Sequence, residues 1–530
     1  MPGRIAIDFG NSKTVISVWD PVRLQGQTHA PSGLSSLKKF GDEEIAIIPS
    51  LISYGAGGQK WLGQQVSERN LLHSGRTFQW MKRFISTRSS ATRNIDDRYV
   101  SNTEAAEDFL CTIIHALLSD LKLSSEEEIA LTLPIEAFEH YENWLLATCR
   151  KAGLKKIRFV DDASAAAIGY GARLFAGEYC LIFDLGSASL NVCLVKQEKN
   201  GEAEPRLKVI GKAGAAFGGS TIDEWLYKEI LSLNGFRSHD PEIQQISRLL
   251  LTEVEALKER LSSTDKSTVS VLDPTSGSQI GADFSRAKLE ALLEKQGAPA
   301  IINATIERAL ADAKENGFDE SSLKAVLLIG ASSQIPIVQE LLKERFGKER
   351  VKMERPLDAV ARGAAAFANG ESLADYLQHD YAIRYKNSST DLYEYRCLVK
   401  RGSPSPSDGA VARVLVKAVF DGQNEFMMQV FELAQSSALN GKSPTLELAF
   451  DEAGHVKLNP LDQAELESRN RFWINERSPT LLKADPPATK GEDRFEVSFS
   501  LDQNRRLLIS SKDLRTGRMV HQDSALVSFH

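Results

Sequence analysis

Cysteine is scarce in this chain, with five residues among 530. They stand at positions 111, 149, 180, 193 and 397, form no C-x-x-C pair and lie mostly in apolar runs. This excludes a disulfide framework and favours reduced thiols in the core of a cytosolic protein. The nine histidines show no H-E-x-x-H or similar spacing, so no histidine metal site is expected.

Long hydrophobic runs and an excess of positive charge are also lacking. No apolar run approaches the ~20 residues that cross a bilayer. A strand-like run begins within the first few residues, which leaves no room for a signal peptide. The formal net charge is −7, so neither nucleic acid nor an acidic membrane is favoured as a partner. We therefore expect a cytoplasmic protein with no nucleic-acid and no membrane partner.

What the chain does contain is a repeated hairpin. The segment IAIDFGNSKTVISVW (5–19) is echoed by LIFDLGSASLNVCLV (181–195) at an offset of 176 residues. In each copy an apolar strand ends in Asp-x-Gly, which gives the pairs Asp8 with Asp184 and Gly10 with Gly186. Glycine lets backbone N–H groups approach phosphate oxygens, and a nearby carboxylate holds magnesium, usually through water. The pattern predicts two like lobes that face each other across a magnesium–nucleotide cleft.

The rest of the chain predicts an α/β region followed by an all-β region. Strand-like and helical runs alternate up to about residue 370, which indicates a mostly parallel sheet. Short alternating runs follow, typical of antiparallel strands in a β-sandwich. We expect an actin-like fold of two duplicated lobes over 1–370, a linker over 371–383 and a β-sandwich-like domain over 384–530. The segment 477–493, rich in proline and polar residues, predicts a mobile loop.

Six landmarks in this order carry a resemblance to a known family: IAIDFGNS, VDDASAAAIGYG, LIFDLGSAS, FGGSTID, LLIGASSQIP and RPLDAVARGAAA. The series resembles the heat-shock protein 70 (DnaK-type) chaperones of the actin-like ATPase superfamily. It is strong over residues 1–370 and weaker beyond 380. The resemblance implies a slow, magnesium-dependent ATP hydrolase. It also implies a β-domain that binds unfolded peptide or a protein partner, with a co-chaperone or exchange factor as a further partner.

The resemblance also implies roles for individual residues. Asp8 and Asp184 are expected to hold hydrated Mg²⁺. Catalysis is assigned to Lys82, Asp162, Asp184 and Ser189. ATP is expected to contact Gly10, Asn11, Ser12, Lys13, Gly186, Ser187, Gly218, Gly219, Glu255, Lys258, Ser262, Gly330, Ala331 and Ser332. From the residues alone, Lys82 could equally be an exposed surface lysine, and the charged helical run 241–263 could be a solvated face.

Several positions depart from the family's pattern. Asp162 replaces a glutamate, and Ala163 replaces the proline that follows it. Asn191 replaces an acidic residue near the metal, and Glu259 replaces an arginine that covers the adenine. The stretch 371–383 is more polar than the family's linker, and no C-terminal lid is expected before His530.

Two functions from different classes remain. The first is a lidless chaperone that couples Mg–ATP hydrolysis to peptide binding. The second is a nucleotide-switched or catalytically weak scaffold that binds one dedicated partner protein, and the departures from the family's pattern favour it. A third interpretation, a small-molecule kinase of the same superfamily, lacks an acceptor-site signature.

Overall fold

The computed structural model places two compact units in the chain. It describes residues 4–41, 43–135, 137–170, 177–198, 206–273, 277, 279–370, 373–374, 377, 379–387, 390, 392–403, 407, 409–434, 445–502 and 506–528. The first unit comprises 1–135, 145–374 and 439–462, and the second comprises 136–144, 375–438 and 463–530. Neither unit is therefore one continuous stretch of sequence.

Strands and helices alternate through the first two thirds of the chain, and strands predominate after it. In chain order the strands are β1 (Ile5–Phe9), β2 (Lys13–Asp20), β3 (Gln25–His29), β4 (Ser36–Phe40), β5 (Glu43–Pro49), β6 (Ile52–Tyr54), β7 (Lys60–Leu62), β8 (Thr77–Phe78), β9 (Thr92–Ile95), β10 (Arg98–Ser101), β11 (Glu128–Leu133), β12 (Lys156–Asp161), β13 (Tyr179–Leu185), β14 (Leu190–Glu198), β15 (Arg206–Ala215), β16 (Lys266–Leu272), β17 (Gln279–Ser285), β18 (Leu323–Ile329), β19 (Val351–Lys352), β20 (Leu373–Ala374), β21 (Asp380–Lys386), β22 (Tyr393–Val399), β23 (Ala412–Lys417), β24 (Gln423–Met428), β25 (Val430–Leu433), β26 (Thr445–Phe450), β27 (Val456–Leu461), β28 (Arg471–Trp473), β29 (Thr480–Ala488), β30 (Asp493–Leu501), β31 (Arg506–Asp513) and β32 (Met519–Ser528). The helices are α1 (Gln64–Glu68), α2 (Met81–Ser86), α3 (Asn102–Asp120), α4 (Glu139–Lys151), α5 (Asp162–Gly169), α6 (Gly219–Leu233), α7 (Pro241–Leu261), α8 (Arg286–Lys295), α9 (Ala298–Glu315), α10 (Pro336–Phe346), α11 (Ala359–Ala368) and α12 (Gln463–Arg469).

The first unit is built from two sheets of matching topology. The first has the strand order β12-β11-β1-β2-β5-β4, and the second has the order β19-β18-β13-β14-β15-β20. In each sheet the repeated hairpin is antiparallel, and its first strand also pairs in parallel with a strand from later in the chain, β11 or β18. The predicted duplication is confirmed. We call the part containing β1–β12, α5 and α11 the first lobe, and the part containing β13–β20 and α6–α10 the second lobe.

Apolar residues at helical spacing form the core faces of the first unit. In the second lobe, α7 buries Ile243, Leu250, Val254 and Leu257 in the core and packs beside α6 and β16. This helix covers 241–261 of the charged run 241–263, so the run has one buried apolar face beside its charged, partly solvated face. Strand β20, near the start of the expected linker, adds an edge to the second sheet by pairing with β15. Residues 371, 372, 375, 376 and 378 of that linker lie outside the described residues.

Two small-residue helices of the first lobe, α5 and α11, pack with their backbones in contact. An added Cβ would lie 1.8 Å from the Ala359 carbonyl oxygen at Gly169, and 1.7 Å from the Ala165 carbonyl oxygen at Gly363. Only glycine fits at either position, because a side-chain carbon would overlap the facing backbone. The small residues of these helices therefore serve close packing beside the sheet.

The second unit is all β apart from α4 residues up to 144 and α12. Its described strands form two four-stranded sheets, β22-β21-β25-β28 and β23-β30-β31-β32, and the pair β24-β29. Their inward residues, among them Val430, Phe495 and Phe499, make one core. The predicted antiparallel β-domain is confirmed.

The predicted mobile loop 477–493 is wrong, because β29 occupies most of it and pairs with β24. Leu482, at the centre of that segment, is fully buried, and the burial of its side chain outweighs the local turn signals. Among the described residues no helix combines the length and the apolar character that a membrane crossing requires.

The contact between α5 and α11 gives a first prediction. Gly363→Ala should destabilise the protein by about 2 kcal/mol, since overpacking a close backbone contact forces the helices apart. The urea midpoint of the first unit's unfolding transition, followed by tryptophan fluorescence, measures the effect. An unchanged midpoint would show that the two backbones are not in tight contact.

Candidate functional site

The strand ends of the two repeated hairpins form one cleft in the first unit. At the first hairpin, a Cβ on Gly10 would lie 2.2 Å from the Lys13 carbonyl oxygen, so the turn accepts only glycine. Ser50 fixes this turn by donating a hydrogen bond of 2.8 Å from its Oγ to the Gly10 carbonyl oxygen. Beside the second hairpin, Gly330, which follows β18, has φ +79° and lies against the Leu185 carbonyl oxygen at the end of β13. Glycine at these points brings the backbone into the cleft.

The loop after β1, which begins at Gly10, and the loop after β13, which begins at Gly186, are called here the first and second glycine loops. They contact each other directly. Ser187 Oγ accepts hydrogen bonds from Asn11 Nδ2 at 3.2 Å and from Ser12 Oγ at 2.8 Å. The backbone at the start of α6 supports the second loop, because Gly219 N donates to the Gly186 carbonyl oxygen at 3.0 Å. Both phosphate-binding loops expected from the sequence thus meet at one point.

Nearly all of the expected site residues line this cleft, whose volume is about 1140 Å³ including its open mouth. Those that line it are Asp8, Gly10, Asn11, Ser12, Lys13, Lys82, Asp162, Asp184, Gly186, Ser187, Ser189, Gly219, Lys258, Ser262, Gly330, Ala331 and Ser332. Ala188 and Glu259 line it as well. Gly218 and Glu255 lie behind the lining: Gly218 precedes α6 and abuts Ser187, and Glu255 is on α7.

Three aspartates and one lysine form the charged floor of the cleft. Lys82 is only 7% exposed, so the alternative of a surface lysine is wrong, and its Nζ lies 3.6 Å from Oδ2 of Asp162. Burial, together with the charge of Asp162, raises the pKa of Asp8 to about 6. Burial and the charges of Asp162 and Asp8 raise the pKa of Asp184 to about 8. The single positive charge of Lys82 therefore does not offset the three carboxyl groups of the floor, and the pKa values of two of them are raised.

This floor fits a hydrated divalent cation. Oδ1 of Asp162 is buried and accepts no hydrogen bond. Among the described residues no three His, Cys, Asp or Glu side chains stand close enough to ligate one ion directly. Asp8 and Asp184 would hold Mg²⁺ through its water molecules, as is common for magnesium.

Residues of α7 also line the cleft. Lys258 Nζ bonds to the Gly219 carbonyl oxygen at 3.0 Å and to Oδ2 of Asp223 at 2.6 Å, which ties α7 to the start of α6. Burial and the charge of Asp223 raise the pKa of Glu255 to about 8. Glu259 is exposed in the lining of the cleft, and its negative charge opposes the lowering of the Lys13 pKa that burial causes. A negative side chain thus stands where the lining is open to solvent.

Three residues that no sequence motif indicated hold the floor in place. Thr132 donates a hydrogen bond of 2.8 Å from Oγ1 to Oδ1 of Asp8. Asp161 caps α5 through Ser164 N and pairs with the fully buried Lys212. Arg83 follows Lys82, and its main-chain N donates to Oδ1 of Asn11 at 3.0 Å. The Asp161–Asp162 doublet is the one local sequence signal of these contacts. Two adjacent carboxylates at a strand end each need a cation, and here Asp161 pairs with Lys212 and Asp162 with Lys82.

Comparisons with known proteins agree with this geometry. A family model described as Hsp70 protein matches residues 145–374, which include the second glycine loop and α7. A chaperone protein dnaK from Thalassiosira pseudonana is 23% identical, in an alignment that covers 97% of this chain and 81% of that protein. The similarity therefore extends through both units.

The raised pKa of Asp184 gives a prediction about stability without metal. A carboxyl group whose pKa is raised on folding stabilises the protein below its unfolded value near 4, and this stability is lost as the pH rises to about 8. In EDTA, Asp184→Asn should therefore melt at a higher temperature than the unmodified chain, by a margin that grows from pH 5 to pH 8. Differential scanning calorimetry over this range measures it.

Asp120→Asn, at the exposed end of α3, is the matched control and should leave the melting temperature unchanged across the range. An Asp184→Asn variant that gains nothing at pH 8 would contradict the crowded, uncompensated floor.

Proposed function

We propose that this chain, which belongs to the Hsp70 family as a divergent member, binds Mg–ATP in the cleft of its first unit and hydrolyses it. One observation carries the proposal: Asp8, Asp162 and Asp184 lie with Lys82 in a cleft that both glycine loops line, and the charge of Lys82 lowers the pKa values of Asp8 and Asp184. A structural cluster of this kind would be expected to balance its charges, whereas this floor is left in excess of carboxylates and opens to solvent.

Each group of residues in the cleft has its own role in binding the nucleotide or in hydrolysing it. The backbone N–H groups of the loops after Gly10 and Gly186 face the phosphates, with Ser12 and Ser187 beside them. Lys82 offsets the negative charge that grows on the transferred phosphoryl group. Asp184 and Asp162 orient the attacking water and receive its proton. When bound, Mg²⁺ supplies positive charge to the phosphate oxygens.

We further propose that the second unit binds an extended apolar peptide. Strand β23 is an edge strand among the described residues, since it pairs with β30 alone. Leu415 on that strand is 55% exposed, and Val419 and Phe420 just after it are exposed too. An edge strand flanked by exposed apolar side chains can add a peptide strand and bury its side chains. The Arg413 carbonyl on this edge already accepts a hydrogen bond from the Arg396 side chain, so a peptide would pair beside that point.

Removing Lys82 tests the proposed hydrolysis. Lys82→Met should lower kcat by about a hundredfold, since preorganised charge at the reacting phosphate typically supplies that much. The affinity for Mg–ATP should change far less, because the loops hold the nucleotide. Single-turnover hydrolysis and calorimetric titration with Mg–ATP separate the two effects.

Lys39→Met, at an exposed position of β4, is the control and should behave like the unmodified chain. If the unmodified chain shows no Mg–ATP binding by calorimetry, the proposed function is overturned. Binding with normal turnover in Lys82→Met would instead remove Lys82 from the mechanism.

The peptide proposal predicts broad binding to an array of apolar peptides. Leu415→Ser combined with Phe420→Ser should weaken this binding at least about tenfold, as expected when two apolar contacts are lost. Leu514→Ser, which also removes an exposed leucine of the second unit, should have little effect. An unmodified chain that binds no peptide would favour the alternative of a scaffold for one dedicated partner.

A further inference from the structure

The hairpin β26–β27 belongs to the first unit although the strands before and after it in the chain belong to the second. It buries three apolar side chains there: Leu448 and Val456 are fully buried, and Phe450 is 6% exposed. All three belong to the main core cluster of the second lobe. The hairpin is therefore an integral part of the folded first unit.

The same hairpin also contacts the first lobe. The Phe450 ring lies 6.1 Å from the Trp80 ring and 5.9 Å from the Phe84 ring, measured between centroids. The Arg93 guanidinium lies 4.6 Å from the centre of the Phe450 ring and 4.2 Å from the centre of the Phe78 ring. A cation close to two aromatic rings is attracted to both, more strongly where water is excluded.

Backbone contacts fix the tip of the hairpin to the first lobe. Asn94 N donates to the Glu452 carbonyl oxygen at 3.0 Å. Gly75 lies so close that a Cβ there would be 2.1 Å from the Ala453 carbonyl oxygen. This approach permits only glycine at position 75.

On the other side, the hairpin is bonded to the second lobe. Leu448 N donates to Oε1 of Glu224 on α6, and Val456 N donates to Oγ of Ser247 on α7, both at 3.0 Å. Arg248 on α7 donates to the Gly454 carbonyl oxygen at 3.4 Å and to the Leu72 carbonyl oxygen at 3.1 Å. The hairpin and Arg248 together bridge the two lobes.

Arg83 connects this bridge to the glycine loops. Its main-chain N holds Asn11, whose side chain in turn bonds to Ser187 of the second loop. Its guanidinium lies 2.5 Å from Oε1 of Glu224 and 3.7 Å from Oε1 of Glu447 on the hairpin. A single residue thus contacts the first glycine loop, the second lobe and the hairpin.

We propose that Arg83 is a positioning residue for the glycine loops, and that the hairpin β26–β27, by holding Arg83 and both lobes, sets the rate at which nucleotide leaves. The proposal rests on the nucleotide function proposed above. Nucleotide leaves such a cleft when the lobes separate. Separation must break the hairpin's contacts with at least one lobe, so the hairpin acts as a clamp.

The contacts of the hairpin with Arg83 and Arg93 can be weakened one at a time by substitution. Glu447 and Glu224 share the one guanidinium of Arg83, whose side chain is 14% exposed. Glu447→Gln leaves Glu224 paired with Arg83, so the fold is retained while the charge pairing between the hairpin and Arg83 is removed. Phe450→Leu keeps an apolar side chain in the core but removes the aromatic face that Arg93 and Arg248 contact.

The full-length chain is loaded with N-methylanthraniloyl-ADP and Mg²⁺, and release is followed by stopped-flow fluorescence after addition of excess ADP. Glu447→Gln, Phe450→Leu and Arg83→Gln should each release the probe at least about fivefold faster, the lower end of ordinary coupling between sites. Glu452→Gln, an exposed charge on the same hairpin, is the control and should match the unmodified chain.

Hydrogen exchange at Leu448, Val456 and Asn94 gives a readout that does not depend on hydrolysis. Bound Mg–ADP should slow exchange at these amides in the unmodified chain and should slow it less in Glu447→Gln. If the unmodified chain binds the probe but all three variants release it at the unmodified rate, the clamp is overturned and the nucleotide function stands. If the unmodified chain does not bind the probe, the proposed nucleotide function is what fails.

Discussion

Three carboxylates share one buried floor where the duplicated strands end, and the rest of the first unit is arranged around them. Asp8 and Asp184 end equivalent strands, and Asp162 begins α5. Lys82 lowers the pKa values of Asp8 and Asp184, yet burial and mutual repulsion raise both above the ordinary range. Like charges in a low-dielectric site repel strongly. A bound cation therefore gains more here than at a surface, and without one the floor is a cost to stability.

The backbone around this floor is shaped to let a ligand approach. Gly10 and Gly330 remove side chains at the points where a loop must lie against a neighbouring carbonyl group. The helices α5 and α11 approach each other at Gly169 and Gly363, next to the sheet that carries Asp8. All of these glycines permit a close approach of two backbone segments. The approaches at Gly169 and Gly363 let the helices behind the sheet pack closely, and those at Gly10 and Gly330 let the strand ends converge on the cleft.

Much of this arrangement could be predicted from the sequence, because its signals are local. A strand followed by Asp-x-Gly, repeated 176 residues later, predicts the duplication and the two hairpins without knowledge of distant contacts. The support from Thr132, Lys212 and Arg83 could not be predicted, since each contact depends on how separate elements pack. The segment 477–493 failed for the same reason: its turn residues are evident locally, whereas the burial of Leu482 is decided by β24.

The hairpin β26–β27 shows how far chain order and spatial order diverge. Its alternating pattern predicts strands equally well in either unit, and nothing local says which unit will bury Phe450. Its partners Trp80, Arg93 and Arg248 lie some two hundred or more residues earlier in the chain. Closing so long a loop costs entropy before any contact is gained, although the cost grows only slowly with length. The contacts of the buried Arg93 and Arg248 with the Phe450 ring form only when the hairpin docks. The first unit is therefore incomplete at residue 370, and its cleft acquires its full support only after the chain has returned from the second unit.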